Sequence, residues 1–230
     1  MLVSDYDQTY YLNDIDIEIN KKSVEKFRTL GHLFVIATGR SYFDFKSKED
    51  IYNFAYDYVI INHGATILNK DNMVIDNYYI NDNIKNEMIN DLDISDSINY
   101  FCCNLDSSRL DFNNNNLTKI HVRYKSKEKA LQINTLINNK YNLYVNCYYV
   151  NNNSIEIISN KTDKAKAIIS LAEKLNIQKE EIYTIGDGYS DIEMIKKFNG
   201  YCMKEAVDEV KKWAKKEYNS VSLLVEDILK

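Results

Sequence analysis

The chain has 230 residues, of which 45% are hydrophobic and 27% are charged, and it carries a formal net charge of −5 with a pI near 5.3. This is the composition of a soluble globular protein with room for one large domain or two modest ones. The acidic balance predicts neither nucleic acid nor an anionic membrane as a partner, and no apolar run approaches the roughly 20 residues that span a bilayer.

The four cysteines show neither Cys-x-x-Cys spacing nor a metal-finger pattern, and we expect them to be reduced thiols. The first predicted strand starts at residue 2, which leaves no room for a signal peptide. These two observations predict a cytoplasmic protein. No sequence feature indicates an oligomeric state.

The first nine residues place two carboxylates directly after an apolar run. Residues 2–4 predict a buried strand, and Asp5 and Asp7 follow its carboxyl end, with a hydroxyl at Thr9. Alternate residues of an extended chain point to the same side, so the two carboxylates can converge. Two negative charges at such short range repel each other unless a cation lies between them or one carboxyl takes up a proton. The stretch predicts a metal site or an acid and base pair, with an Asp-rich turn as the alternative.

The chain between residues 20 and 65 alternates between helical and strand patterns. The predicted order is a helix at 23–30 that Asn20 caps, a strand at 32–37, a helix at about 48–54 and a strand at 57–62. Continuous apolar runs of this kind suit strands that are buried on both faces. Helices alternating with such strands predict a parallel sheet with right-handed crossovers.

The pattern changes near residue 66 and returns near residue 161. Between these points the sequence predicts hairpins at 67–79 and at 143–158 (the second turning at 151–153), helices at 83–92 and 127–138, and strands at 98–104 and 119–124. Hairpins with two helices make an α+β unit, so we expect an inserted second domain at 66–158. After it come a helix that Asp163 caps, strands at 181–185 and 200–203, and helices at 192–198, 207–216 and 221–229.

Polar side chains gather where the predicted parallel strands end. In chain order they are Asp5 and Asp7, Thr38 to Arg40, Asn62, and Asp187 with Asp191, while Lys164 opens the helix before the last of these strands. In a parallel sheet these ends share one edge. Clustered carboxylates hold Mg²⁺, usually with substrate phosphate completing its shell, and a lysine at a helix start can hold phosphate oxygens. These residues favour phosphoryl transfer, a reaction that depends mainly on positioning the reacting groups and neutralising their charge.

The same segments resemble the four motifs of the haloacid dehalogenase superfamily of phosphohydrolases. Asp5-Tyr-Asp-Gln-Thr9 resembles the first motif, Thr38-Gly-Arg40 the second, Lys164 the third and Gly186-Asp-Gly-Tyr-Ser-Asp191 the fourth. The insert lies where the Cof-type sugar-phosphate phosphatases of subfamily IIB carry their cap. Asn62-His-Gly-Ala65 resembles the stretch that precedes that cap.

The resemblance implies an α/β fold with a Rossmann-like, doubly wound parallel sheet in a discontinuous core at 1–65 and 159–230. Residues 66–158 would form an inserted α+β cap domain of the C2 type. Two positions depart from the usual motifs, because Gln8 stands where relatives commonly have Gly, and Ser190 stands where they often have Asn. Gln8 is expected to strain or reshape its loop, since positive φ angles cost residues other than Gly roughly 1–2 kcal/mol.

The resemblance also implies a role for each catalytic residue. Asp5 would be the nucleophile that forms an aspartyl phosphate, and Asp7 would protonate the leaving group and later activate water. The implied substrate-binding residues are Thr38, Gly39, Arg40, Asn62 and Lys164. The implied Mg²⁺ ligands are Asp5, Asp187, Asp7 through its backbone carbonyl, and Asp191 directly or through water.

The implied function is a Mg²⁺-dependent phosphatase for a small phosphorylated metabolite, with a sugar phosphate as the favoured class. A phosphomutase would share the first half-reaction, and a receiver-like regulatory module phosphorylated on Asp5 is the non-enzymatic alternative. Each assigned residue also has a structural alternative, which for Arg40 is a surface ion pair and for Asn62 a turn. Four polar residues of the insert could contact substrate or could be solvated charges: Arg109, Lys119, His121 and Arg123.

Overall fold

The computed structural model describes residues 1–150 and 153–230, so residues 151 and 152 of the predicted turn at 151–153 lie outside the described residues. The strands are β1 (Leu2–Ser4), β2 (Phe34–Ala37), β3 (Tyr58–Ile61), β4 (Thr66–Asn69), β5 (Val74–Asn77), β6 (Ser97–Cys103), β7 (Lys119–Tyr124), β8 (Val145–Val150), β9 (Ser154–Ser159), β10 (Tyr183–Gly186), β11 (Asn199–Met203) and β12 (Glu217–Tyr218). The α-helices are α1 (Asp14–Thr29), α2 (Tyr42–Tyr52), α3 (Asp82–Met88), α4 (Lys127–Tyr141), α5 (Lys164–Leu175), α6 (Ile192–Lys197), α7 (Asp208–Lys211) and α8 (Val221–Ile228).

Eight strands form one sheet in the order β12-β11-β10-β1-β2-β3-β4-β5. The strands from β12 to β3 pair in parallel, whereas β4 and β5 add antiparallel pairs at one edge. Every residue of β1 and β2 is buried, as expected for strands that are covered on both faces. The predicted doubly wound parallel sheet is confirmed, and its chain order reverses between β1 and β10.

A smaller antiparallel sheet has the order β6-β7-β9-β8. The α4 helix packs on β7, β8 and β9, and it supplies Ala130, Ile133 and Ile137 to a buried cluster that is separate from the core of the large sheet. This is the predicted α+β unit between the two halves of the large sheet. It brings a second surface opposite the carboxyl ends of the parallel strands.

The hairpin of β4 and β5 lies in the large sheet, although the sequence analysis assigned it to the insert at 66–158. Strand β4 pairs with β3 along its length, and Ile67 and Leu68 belong to the same buried cluster as β1. The second cluster starts with Ile80. We therefore propose that the insert begins after Asn77, because the hairpin buries its apolar residues against the core.

Several predicted helix boundaries are wrong, and helix α2, for example, begins at Tyr42 rather than at about 48. Helix α1 begins nine residues before the predicted position, because the side chain of Asn13 caps it by accepting hydrogen bonds from the backbone N–H groups of Ile15 and Asp16. Asn20 is instead buried within the helix, where it donates to the carbonyl of Tyr10. Helix α7 ends at Lys211 rather than at 216, since the chain then extends to add β12 to the sheet.

The four cysteines are all buried and free, as predicted. Burial raises the pKa of Cys103 to about 11 and that of Cys102 to about 12, so both thiols stay protonated at neutral pH. Among the described residues, no helix combines the length and apolar character that crossing a membrane would require.

Candidate active site

A cavity of about 520 Å³ lies where the parallel strands end and the insert faces them. It includes the carboxyl ends of β1 and β10, between which the chain order of the sheet reverses, and such reversal points form ligand-binding crevices in open α/β sheets. The lining residues from the large sheet and its loops include Asp5, Asp7, Gln8, Thr38, Gly39, Arg40, His63, Lys164, Asp187 and Asp191.

Three carboxylates from opposite ends of the chain meet in this cavity. Asp5, Asp187 and Asp191 each offer an oxygen atom, and these three atoms lie within 4.8 Å of one another. The hydroxyl of Thr9 donates to Asp187 Oδ1 at 2.9 Å, while Asp191 Oδ2 accepts from the backbone N–H groups of Asp187 and Gly188. The carboxylates are thus held in place by the chain around them before any ligand binds.

Lys164 lies between two of these carboxylates. Its Nζ donates to Asp5 Oδ1 and to Asp191 Oδ1, both at 2.6 Å, and its side chain is buried. Burial alone would lower the pKa of this lysine, but the two carboxylates outweigh burial and raise its pKa. The side chain of Lys166 is 45% exposed and Lys161 is also exposed, so Lys164 is the lysine of this helix start that reaches the cavity.

The carboxylate cluster carries more negative charge than its lysine offsets. Burial, together with the charges of Asp191 and Asp187, raises the pKa of Asp5 well above its usual range, although Lys164 opposes this shift. Burial and the charge of Asp191 also raise the pKa of Asp187 to about 6. A divalent cation would relieve this repulsion, and a set of carboxylate oxygens matches the ligand preference of Mg²⁺.

The second predicted motif forms a loop after β2. Thr38 Oγ1 accepts a hydrogen bond from the backbone N–H of Arg40. Arg40 Nε and Nη2 donate to the two carboxylate oxygens of Asp7 at 2.8 and 2.7 Å. Arg40 therefore makes a half-buried bidentate ion pair with the second aspartate of the first motif, and the side chain of Asp7 lies outside the cluster of three carboxylates.

The structure places Asn62 behind the cavity rather than in its lining. Asn62 is buried, and its Nδ2 donates to Thr118 Oγ1 of the insert at 3.1 Å. Asn62 and His63 both adopt positive φ angles, 51° and 56°, which are uncommon outside Gly. This turn places His63, which the sequence indicates as a loop residue with a possible substrate contact, in the cavity lining.

The insert supplies the opposite wall of the cavity. Of the four polar residues that the sequence indicated there, Arg109, Lys119 and His121 line the cavity and Arg123 does not. The insert also contributes Phe101, Val150 and Glu156. Glu156 belongs to no motif, but it is the one charged residue of strand β9 and lies between two isoleucines, which predicts a buried carboxylate that needs a partner.

The two departures from the usual motifs have distinct structural outcomes. Gln8 has a φ of 59°, in the left-handed region that favours Gly, so backbone strain at this position stays a prediction. Ser190 lines the cavity beside Asp191, so it retains a polar group at that edge.

Comparisons with known proteins agree with this geometry. The family model described as haloacid dehalogenase-like hydrolase matches residues 2–110 and 99–222. A Buchnera aphidicola protein that is named as a candidate phosphatase is 23% identical, covering 89% of this chain and 86% of its own. A haloacid dehalogenase-like hydrolase from B. subtilis shares the fold with a TM-score of 0.84 at 18% identity over 98% of both chains. A subclass IIB sugar phosphatase of this superfamily has a TM-score of 0.78 at 16% identity, covering 99% of this chain and 98% of its own.

The matched segments extend over most of the chain and include the four predicted motifs. They confirm the family that the sequence resembles and the prediction of an enzyme of the phosphatase class. The chain belongs to the haloacid dehalogenase-like hydrolases.

Proposed function

We propose that this protein is a Mg²⁺-dependent phosphatase that hydrolyses a small phosphorylated metabolite through an aspartyl phosphate on Asp5. The observation that carries the proposal is the meeting of three carboxylates and one buried lysine at the point where the sheet reverses its chain order. Phosphoryl transfer requires a placed nucleophile and neutralised charge, and these residues supply both.

Asp5, Asp187 and Asp191 fit a divalent cation, because their oxygens are close together and their mutual repulsion is only partly offset by Lys164. The backbone carbonyl of Asp7 is the fourth protein ligand that we propose. When bound, Mg²⁺ would supply charge neutralisation and orientation for the phosphate group.

The chain's own residues account for two successive steps. In the first, an Asp5 carboxylate oxygen attacks phosphorus, the bond from phosphorus to the ester oxygen breaks, and Asp7 donates a proton to the departing alkoxide. In the second, water attacks phosphorus, Asp7 takes its proton, and the bond to Asp5 breaks to release inorganic phosphate. Lys164 reduces the repulsion between Asp5 and the phosphoryl oxygens, and Thr38 binds one of those oxygens through its hydroxyl.

Arg40 orients Asp7, which is both the acid and the base in this scheme. Its two hydrogen bonds hold the Asp7 carboxylate at the cavity, and the Asp7 side chain is 47% exposed. A carboxylate that is exposed at a cavity wall can exchange a proton with a leaving group and then with water. Gly39 and Arg40 would contact the substrate beside Thr38.

A sugar phosphate is the substrate class that we favour. The cavity volume of about 520 Å³ lies within the range of small-molecule sites, roughly 300–1,000 Å³. The polar side chains of the insert wall can pair with hydroxyl groups, and a structural relative of the same superfamily is a sugar phosphatase.

Phosphate release from a panel of phosphate monoesters, including 4-nitrophenyl phosphate and several sugar phosphates, tests the proposal. We expect turnover with Mg²⁺, loss of turnover after chelation with EDTA, and recovery when Mg²⁺ is added back. Failure to release phosphate from any panel member in the presence of Mg²⁺ would overturn the proposal.

The same assay separates the two alternatives. Transfer of the phosphoryl group to a second hydroxyl of the substrate, without phosphate release, would identify a mutase. A stable phosphorylated Asp5 without turnover would identify a regulatory module.

A further inference from the structure

Four ionisable side chains form a buried cluster where the insert meets the large sheet. Lys119 and His121 lie two residues apart on β7, so they share a face, and His121 pairs directly with Glu156 of β9. Glu156 Oε1 accepts from Lys119 Nζ at 2.8 Å and contacts His121 Nδ1 at 3.1 Å, while Oε2 contacts His63 Nε2 at 2.5 Å. Burial alone would raise the pKa of Glu156, but Lys119 and the two histidines hold it well below its usual range.

This cluster contacts the loop of the second motif directly. Lys119 Nζ donates to the backbone carbonyl of Gly39 at 2.6 Å. The His63 backbone N–H donates to the carbonyl of Thr38, and the His63 ring packs so closely on Gly39 that an added Cβ would lie 2.4 Å from it. The backbone between Thr38 and Arg40 is therefore held from the insert side by Lys119 and from the core side by His63.

We propose that Lys119, oriented by Glu156, is a positioning residue that fixes the loop at 38–40 for catalysis. This loop carries the hydroxyl of Thr38 and, through Arg40, the carboxylate of Asp7, so its position determines the placement of two of the groups that act in the reaction. Docking of the insert and assembly of the phosphoryl-binding loop are then the same event. The proposal rests on the phosphatase function proposed above.

A positioning role explains the contacts of Lys119 better than direct recognition of a leaving group. Its side chain is 3% exposed, and two of its three N–H donors are taken by protein acceptors. Its charge is matched by Glu156, which is also buried. Preorganised catalytic groups depend on such supporting residues, since small displacements of a reacting group can cost about 10²-fold in rate.

The test compares Lys119→Met with Lys85→Met as a matched control. Lys85 is also a buried lysine of the insert and donates to a backbone carbonyl, that of Asn114, but it does not line the cavity. We expect Lys119→Met to lower kcat for 4-nitrophenyl phosphate by about 10–100-fold. We also expect inorganic phosphate to inhibit this variant about tenfold more weakly, because the loop that binds phosphate is displaced. Lys85→Met should lower the Tm while retaining both constants.

Inorganic phosphate has no leaving group, so its inhibition constant reports only how well the phosphoryl-binding loop is positioned. An unchanged inhibition constant in a folded Lys119→Met variant would show that Lys119 does not position the loop. Absence of turnover by the wild-type protein would instead contradict the proposed function, so the two failures are distinguishable.

Glu156→Gln gives a second test that keeps the volume of the side chain. If Lys119 positions the loop, removal of the Glu156 charge loosens Lys119 and weakens phosphate inhibition. If Lys119 binds phosphate directly, its unpaired charge would strengthen phosphate inhibition, and that result would overturn the proposal.

Discussion

The two walls of the cavity differ in charge. At the strand ends, three carboxylates meet one ammonium group, that of Lys164. On the insert wall the buried Lys119 pairs with Glu156 of the same wall, whereas the exposed Arg109 pairs with Asp44 of helix α2 on the core side. The strand-end wall, which has excess negative charge, is suited to bind a cation and a phosphoryl group. The insert wall, whose cations are paired, fixes the geometry of the groups it contacts.

Because of this difference in charge, substitutions in the two walls should have effects of different size. Removal of a charge from the strand-end wall should abolish chemistry, because in the proposed mechanism its groups act on the phosphoryl group itself. Changes in the insert wall should alter rate and affinity in smaller steps. The largest effects are therefore expected at the strand-end wall.

Asp5→Asn should reduce phosphate release by at least about 10³-fold, because an amide cannot attack phosphorus as a carboxylate does. The substitution keeps the size of the side chain, so circular dichroism should match the wild type. Asp71→Asn, in the exposed turn between β4 and β5, is the control and should retain full turnover. Wild-type turnover by Asp5→Asn would refute the nucleophile assignment.

Lys164→Met should lower turnover by about 10²-fold or more and should destabilise the protein by about 3 kcal/mol, because it leaves two buried carboxylates without their cation. Lys166→Met, two residues along the same helix, removes an exposed lysine and should change neither quantity measurably. Urea unfolding and phosphate release measure the two effects. Equal effects of Lys164→Met and Lys166→Met would contradict the assignment of Lys164 to the site.

The buried cluster of the insert wall predicts a pH dependence of stability. Burial lowers the pKa of His63 below its ordinary value of 6.5, although Glu156 opposes this shift. The neutral ring therefore contributes stability that is fully present above pH 6.5 and is lost progressively as the pH falls below 6.5, with a slope of up to about 1.4 kcal/mol per pH unit.

His63→Asn should flatten this pH dependence, and Asn tolerates the positive φ at this position. His32→Asn, at an exposed site, is the control and should leave the slope unchanged. The slopes come from urea unfolding measured between pH 7 and pH 5. A His63→Asn slope equal to that of the wild type would mean that His63 is not held in its neutral form.

The smallest predicted effect concerns the loop of the first motif. Gln8→Gly should raise the free energy of unfolding by up to about 1 kcal/mol, because Gly adopts the φ of 59° without strain but loses more entropy on folding. Phosphate release should remain near the wild-type rate. A lower stability in urea unfolding would contradict the interpretation of Gln8 as strained.

The sequence predicts the strand-end wall well because its groups follow apolar strands within a few residues. Asp5 and Asp187 directly follow β1 and β10, and parallel pairing brings those ends together. The insert wall is not predictable in this way. Glu156 meets His121 only through the register of β7 and β9, and the sequence contains no motif for that register.

Local patterns also misled the sequence analysis in the first helix and in the β4–β5 hairpin. Residues 14–19 alternate between acidic residues and isoleucine and so lack the apolar spacing of a helix, and the helix leaves Ile15 and Ile19 exposed while it buries Ile17. The hairpin was assigned to the insert because its pattern cannot indicate which sheet it joins. Both errors arise where tertiary packing decides between locally similar alternatives.

The proposed mechanism requires carboxylates from both ends of the chain to share one ion, and titration calorimetry with Mg²⁺ measures that sharing. We predict one site in the wild-type protein, with affinity at least about tenfold weaker in both Asp5→Asn and Asp187→Asn. Asp44→Asn, which alters a cavity aspartate outside the cluster, should bind Mg²⁺ like the wild type. Wild-type affinity in either Asp5→Asn or Asp187→Asn would contradict the shared site.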